Sequence, residues 1–118
     1  MMPTSAPAII DPTALPMAAH PRFAGVGMQQ VFTQASHPFA SLGLVFVPPG
    51  GVIGRHIHPN EIEVVHIRAG RAILITGESE RTFAAGQFVA IPIGMEHGLR
   101  NEEKETVELI TFFTPPIF

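Results

Sequence analysis

An all-β domain is the fold class that this sequence predicts, and three observations lead there. Twelve prolines and eleven glycines in 118 residues put a turn-former at roughly every fifth position, too dense for long helices. Short apolar runs follow one another at close intervals, separated by turn clusters. The length is that of a single domain. Such runs at this spacing form a sandwich or barrel.

In order, the predicted strands are Val26–Thr33, Ser41–Val47, Val52–His58, Ile62–Arg68, Ala72–Thr76, Arg81–Phe83, Gln87–Ile91, Glu96–Arg100 and Thr106–Phe113. Pro48-Pro49-Gly50-Gly51, His58-Pro59-Asn60, Ala69-Gly70, Gly77-Glu78-Ser79, Pro92-Ile93-Gly94 and Asn101-Glu102-Glu103 break the chain between them. Residues 1–24, rich in Pro and Ala, read as an irregular arm that is loose or drapes over a neighbouring subunit. Residues 25–114 form the barrel and 115–118 a short tail.

Composition excludes several function classes. With no cysteine there is no disulfide, iron–sulfur cluster, thiolate zinc site or cysteine nucleophile. A net charge of -3, with seven Lys and Arg spread along the chain, argues against nucleic acid as a partner. No secretory signal is visible, because prolines interrupt the early apolar stretch and the first basic residue is Arg22. A cytoplasmic protein is expected. Phe23 to Gly54 lacks charged residues, but Gln29, Gln30, Gln34, Pro38, Pro48 and Pro49 rule out a membrane helix there.

Chemistry concentrates in two segments. In Gly50–Gly70, His56 and His58 stand two apart on a predicted strand, so their imidazoles share a face, the spacing that chelates one ion. Glu63 follows a Pro-Asn turn and can bring an oxygen ligand from the adjacent strand. Glu61, of the same parity, is a rival that sits nearer the turn. In Gly86–Asn101, a strand and a Pro/Gly turn lead to a second strand bearing His97.

Together the two segments resemble the two motifs of the cupin family. Gly50, His56, His58, Glu63 and Gly70 meet the first pattern, and Gly86, Pro92, Gly94, His97 and Asn101 meet the second. Only Arg71 to Ala85 separates them, which is similar to compact microbial members. The resemblance implies a double-stranded β-helix, the jelly-roll barrel, holding one divalent metal on His56, His58, Glu63 and His97. Three imidazoles and a carboxylate suit Fe, Mn, Ni, Cu, Co or Zn. An octahedral ion would keep two positions open for ligands.

Two departures from the family pattern stand out. Gln87 replaces the Asp that often follows the second motif's Gly, which should weaken a turn contact. His66 takes the place of a common aromatic, and by alternation it points away from Glu63's face. The same alternation puts Val65 and Ile67 with Glu63 and Leu99 with His97, for a largely aliphatic pocket wall. Glu96 should face outward. His20 and His37, each before a proline, read as solvated or interfacial, and one of Gln29, Gln30 and Gln34 is a candidate for the cavity.

No catalytic residue beyond the metal centre is evident. The expected function is a metal-dependent enzyme, dioxygenase-like, on a small oxygenated organic compound. The alternatives are a non-oxidative isomerase, cyclase or lyase, and a ligand-binding module without turnover. No fused output domain fits the chain, and there is no Trp or Tyr for stacking a sugar. Apolar residues on both faces of Leu109–Phe113, with the long charge-free stretch, lead to the expectation of a homodimer.

Overall fold

The computed structural model describes residues 6–118, so Met1–Ser5 of the arm lie outside the described residues. Ten strands run through the described residues: β1 (Ala18–Ala19), β2 (Gly27–Phe32), β3 (Ser41–Val47), β4 (Val52–His56), β5 (Ile62–Ala69), β6 (Arg71–Thr76), β7 (Ser79–Ala84), β8 (Phe88–Ile91), β9 (His97–Arg100) and β10 (Val107–Thr114). All pairings are antiparallel. The first sheet has the order β1-β2-β3-β10-β5-β8 and the second β4-β9-β6-β7. The fold is the all-β double-stranded β-helix.

The arm is more structured than its composition suggests. Asp11 caps a 3-10 turn over Pro12–Ala14 by accepting from the Thr13 amide. The buried Gln29 side chain donates to the carbonyls of Pro12 and Leu15, both at 3.0 Å, and β1 pairs with β2. A two-residue strand carries no periodicity, so it cannot be seen in the sequence.

Alternation along β10 divides the interior into two levels. Val107 aligns with Val47, Leu109 with Val45 and Ile67, and Phe113 with Ser41 and Glu63. Val47, Ile67 and Val107 are completely buried and, with Val26 and Ala72, belong to a solid apolar core. Burial of each Val or Ile side chain among them contributes about 2 kcal/mol. Farther along the same strands, Val45, Val65 and Leu109 of the same cluster, together with Phe113, line a cavity. One end of the barrel is therefore filled, and the other is hollow around Glu63.

Turns between strands hold the two motifs together. Gly70 has a φ of 89°, and a Cβ there would lie 3.1 Å from both the Thr106 oxygen and the Val107 Cα, so only glycine fits between β5 and β6. Asn101 is 1% exposed. Its amide donates to the carbonyls of Val47 (3.0 Å) and Glu105 (2.7 Å), and its oxygen accepts from the Glu103 amide (2.9 Å). Its backbone exchanges hydrogen bonds with Gly50 and Gly51. The final residue of the second motif is thus a structural clamp on the first residues of the first motif.

Gln87 corrects the expectation of a weakened turn. Its side-chain oxygen accepts from the Ala84 amide at 2.7 Å, and its own amide donates to the Ala84 carbonyl. The longer amide side chain makes the contact that closes the turn.

Candidate metal centre

Two sheets supply the site. β4 and β9 are neighbours in the second sheet, where His56 aligns with His97. Glu63 lies on β5 in the first sheet, between Phe113 and Ile91. A register shift between Ile53 and His56 interrupts the β4–β9 ladder just before His56. β4 ends at His56, two residues earlier than the sequence predicts. His58 lies beyond the strand, where its carbonyl accepts from the Gly94 amide at 3.0 Å.

The four side chains converge. One ligand atom from each of His56, His58, Glu63 and His97 lies within 4.8 Å of the others. Ring centroids are 4.3 Å apart for His56 and His97, 4.8 Å for His56 and His58, and 5.2 Å for His58 and His97. His58, Glu63 and His97 are buried and His56 is half-buried.

Backbone carbonyls orient two of the imidazoles. His56 Nδ1 stands 2.7 Å from the Gly54 oxygen, and His97 Nδ1 2.9 Å from the Met95 oxygen. A carbonyl only accepts, so both Nδ1 atoms carry hydrogen. In the neutral tautomers the Nε2 lone pairs are then free, as in metal-ligating histidines whose other ring nitrogen donates to a carbonyl.

The remaining contacts fit a cation at the centre. His97 Nε2 is 3.0 Å from Glu63 Oε1, a pairing that needs either a proton or a metal ion between the two. His58 Nε2 is 3.4 Å from the same oxygen but has no hydrogen-bond partner, an orphaned buried nitrogen. Burial raises the Glu63 carboxyl, but the His58 and His97 contacts outweigh it and hold the group at about 2. For His97, burial opposes protonation, and the Glu63 and Met95 partners overcome it and raise its pKa. Burial lowers that of His56, with the neighbouring rings contributing. An anionic carboxylate and three imidazoles, one of them unpartnered, suit a divalent transition ion.

A cavity of about 240 Å³ adjoins these groups. Its wall includes Val65 and Leu99, as alternation predicts, while Ile67 lies in the closed core. Phe23, Phe83, Phe113 and Phe118 also line it, so the wall is aromatic as well as aliphatic. Gln30 is the glutamine that lines the cavity. Against the solvated reading, His20 is half-buried in this wall and its ring packs at a tilt against Phe23, centroids 4.8 Å apart. Phe23 in turn lies 5.2 Å from the His56 ring. No sequence signal places these arm residues at the site, because the arm has neither motif nor period.

The other candidates are elsewhere. His66 stacks on Phe88 at 4.1 Å, away from the cluster, and its Nδ1 donates to the Gln87 carbonyl. His37 is exposed and packs on Phe39. Glu96 is exposed and pairs with Arg55 at 3.7 Å. Glu61 is absent from the cluster that Glu63 joins.

Comparison with known proteins agrees with this fold. A germin-like protein 3-8 of Oryza sativa subsp. japonica is 33% identical over 78 residues, covering 62% of this chain and 35% of that protein. The chain thus spans about a third of that relative's length. Among solved structures, a predicted oxalate decarboxylase from Thermotoga maritima superposes with a TM-score of 0.83 at 17% identity, covering 92% of this chain and 99% of the other. A recombinant oxalate oxidase in complex with glycolate gives 0.68 at 25% identity, over 77% of this chain and 51% of the other. The cupin domain model matches residues 43–113, more than half of the sequence and both motifs, and the chain belongs to the cupin family.

Proposed function

We propose that this cupin is a metal-dependent enzyme acting on a small oxygenated organic compound, with one divalent ion held by His56, His58, Glu63 and His97. The observation that carries the reading is the convergence of four ligand atoms within 4.8 Å beside an apolar cavity. The oxalate oxidase and the predicted oxalate decarboxylase that the chain is similar to support a substrate with adjacent oxygens. Oxygenase chemistry is the preferred class.

A bound ion supplies Lewis acidity and, where redox-active, electron transfer. The protein's own groups have separate tasks. Gly54 and Met95 hold the Nδ1 protons of His56 and His97, which keeps Nε2 aimed inward. Glu63 contributes the anionic charge. Phe113, edge-on to His58 at 5.1 Å, and the aliphatic and aromatic wall surround the cluster with low-polarity surface, which strengthens polar interactions there. Free acid or base groups are few, so proton transfer falls to the substrate and the ligand set.

The deciding experiment loads apo protein with Fe(II) or Mn(II), adds catechols, diketones and keto acids, and follows oxygen uptake and product masses. Oxygen-dependent product formation is expected. Turnover that is equal without air would move the assignment to an isomerase, cyclase or lyase, and binding without product to a ligand-binding module. We also propose a homodimer, since Phe39, Phe88, Ile93 and Met95 are large apolar side chains left exposed.

A further inference from the structure

We infer that Arg22 is a specificity-determining residue: it recognises an anionic group on the substrate, at the opposite end from the oxygens that face the histidine cluster. This rests on the proposed function and adds the substrate class, an organic anion with a chelating head, an apolar body and a second negative charge.

Among the described residues, Arg22 is the only Lys or Arg in the cavity lining. Arg55, Arg68, Arg71 and Arg100 lie in ion pairs with glutamates, whereas Arg22, like Arg81 and Lys104 away from the cavity lining, makes none among the described residues. Its guanidinium sits over the Phe23 ring, 5.5 Å from the centroid, and that ring lies 5.2 Å from His56. The Phe23 ring therefore touches both the exposed Arg22 cation and His56 of the cluster.

The corner that carries Arg22 is fixed. The Arg22 amide donates to His20 Nδ1 at 3.1 Å, the His20 amide to the Val26 carbonyl at 2.8 Å, and the Val26 amide to the Phe23 carbonyl at 3.3 Å. A cation held over an aromatic ring, with no carboxylate paired to it among the described residues, keeps its donors free for a ligand. Guanidinium offers a planar fork that matches a carboxylate. Volume sets the body between the two ends: a dry cavity of about 150 Å³ accepts benzene, so about 240 Å³ holds one ring with substituents at both ends. A two-carbon diacid would leave most of the apolar wall uncovered.

The test uses Zn(II)-loaded protein, chosen because Zn(II) has no redox chemistry, and calorimetric titration with catechol and with 3,4-dihydroxybenzoate. Wild type should bind the carboxylated probe about five-fold more tightly, the range of a solvent-accessible ion pair. Arg22→Gln should make the two probes equal, and Arg22→Lys should keep part of the preference. Equal affinities in wild type, or a preference that survives Arg22→Gln, would overturn the role of Arg22 while leaving the chelating pocket standing. If Zn(II) binds but neither probe does, the chelating pocket fails and the inference fails with it.

Discussion

The Gly94 amide donates to the carbonyl of His58 at 3.0 Å, so the turn of the second motif holds the backbone of a histidine from the first. Gly94 has a φ of 79°, and the space where a Cβ would stand is open. Gly94→Ala should therefore cost only the left-handed strain, about 1 kcal/mol. Because His58 hangs from this turn, its metal affinity should fall as well. Urea unfolding and a Zn(II) titration measure the two effects separately.

Metal content tests the ligand set directly. Purified protein should carry close to one divalent ion per chain, and His58→Ala should lose most of it. Metal at 100 times its Kd stabilises by about 2.7 kcal/mol, so added Zn(II) should raise the Tm of wild type and leave that of His58→Ala nearly unchanged. Full occupancy in the variant would remove His58 from the site.

Acid stability of the apo protein should depend on Glu63. Its folded pKa, about 2, lies below the ordinary 4.5, so its stabilising contribution is complete above about pH 4.5 and disappears as the pH falls toward 2. The size is on the order of 3 kcal/mol. Around neutrality, the raised pKa of His97 gives stability that is present below 6.5 and lost as the pH rises through its folded value. The lowered pKa of His56 works in the opposite direction over the adjoining range. Denaturant midpoints at pH 2.5, 5.5 and 8 should show the acid limb in wild type, and Glu63→Gln should flatten it.

Asn101→Ala should be severe for a residue that touches no ligand. It would leave the Val47 and Glu105 carbonyls and the Glu103 amide without their partner, at a cost of about 3 kcal/mol. Equilibrium unfolding should register this loss. Asn101→Asp should not rescue it, since a carboxylate cannot donate to the two carbonyls.

Association is the remaining expectation. Sedimentation velocity at micromolar concentration should give a dimer, and Phe88→Glu, at a side chain 71% exposed, should shift the population toward monomer if that face is buried between copies. A wild-type monomer would overturn the homodimer.

Strand positions were legible in the sequence wherever a residue's neighbours along the chain decide its environment. An apolar run ending at a Pro-Pro-Gly-Gly turn marks Ser41–Val47 with both ends as observed, and alternation puts Val65 and Leu99 on the faces that bear Glu63 and His97. The motif spacing singled out His56, His58, Glu63 and His97 because turns of fixed length carry side chains to fixed heights. What depends on contacts between distant segments was not legible. The register shift before His56 is defined only by its pairing with β9. Ile67 has the same parity as Val65, yet it faces the filled half of the barrel, because depth along a strand is set by what packs opposite and not by alternation. His20, Arg22 and Phe23 reach the cavity only because the arm folds back on β2 and closes a corner with Val26. Local periodicity fixes which face a side chain takes, whereas its neighbours across the barrel come from long-range packing that no short window of sequence contains.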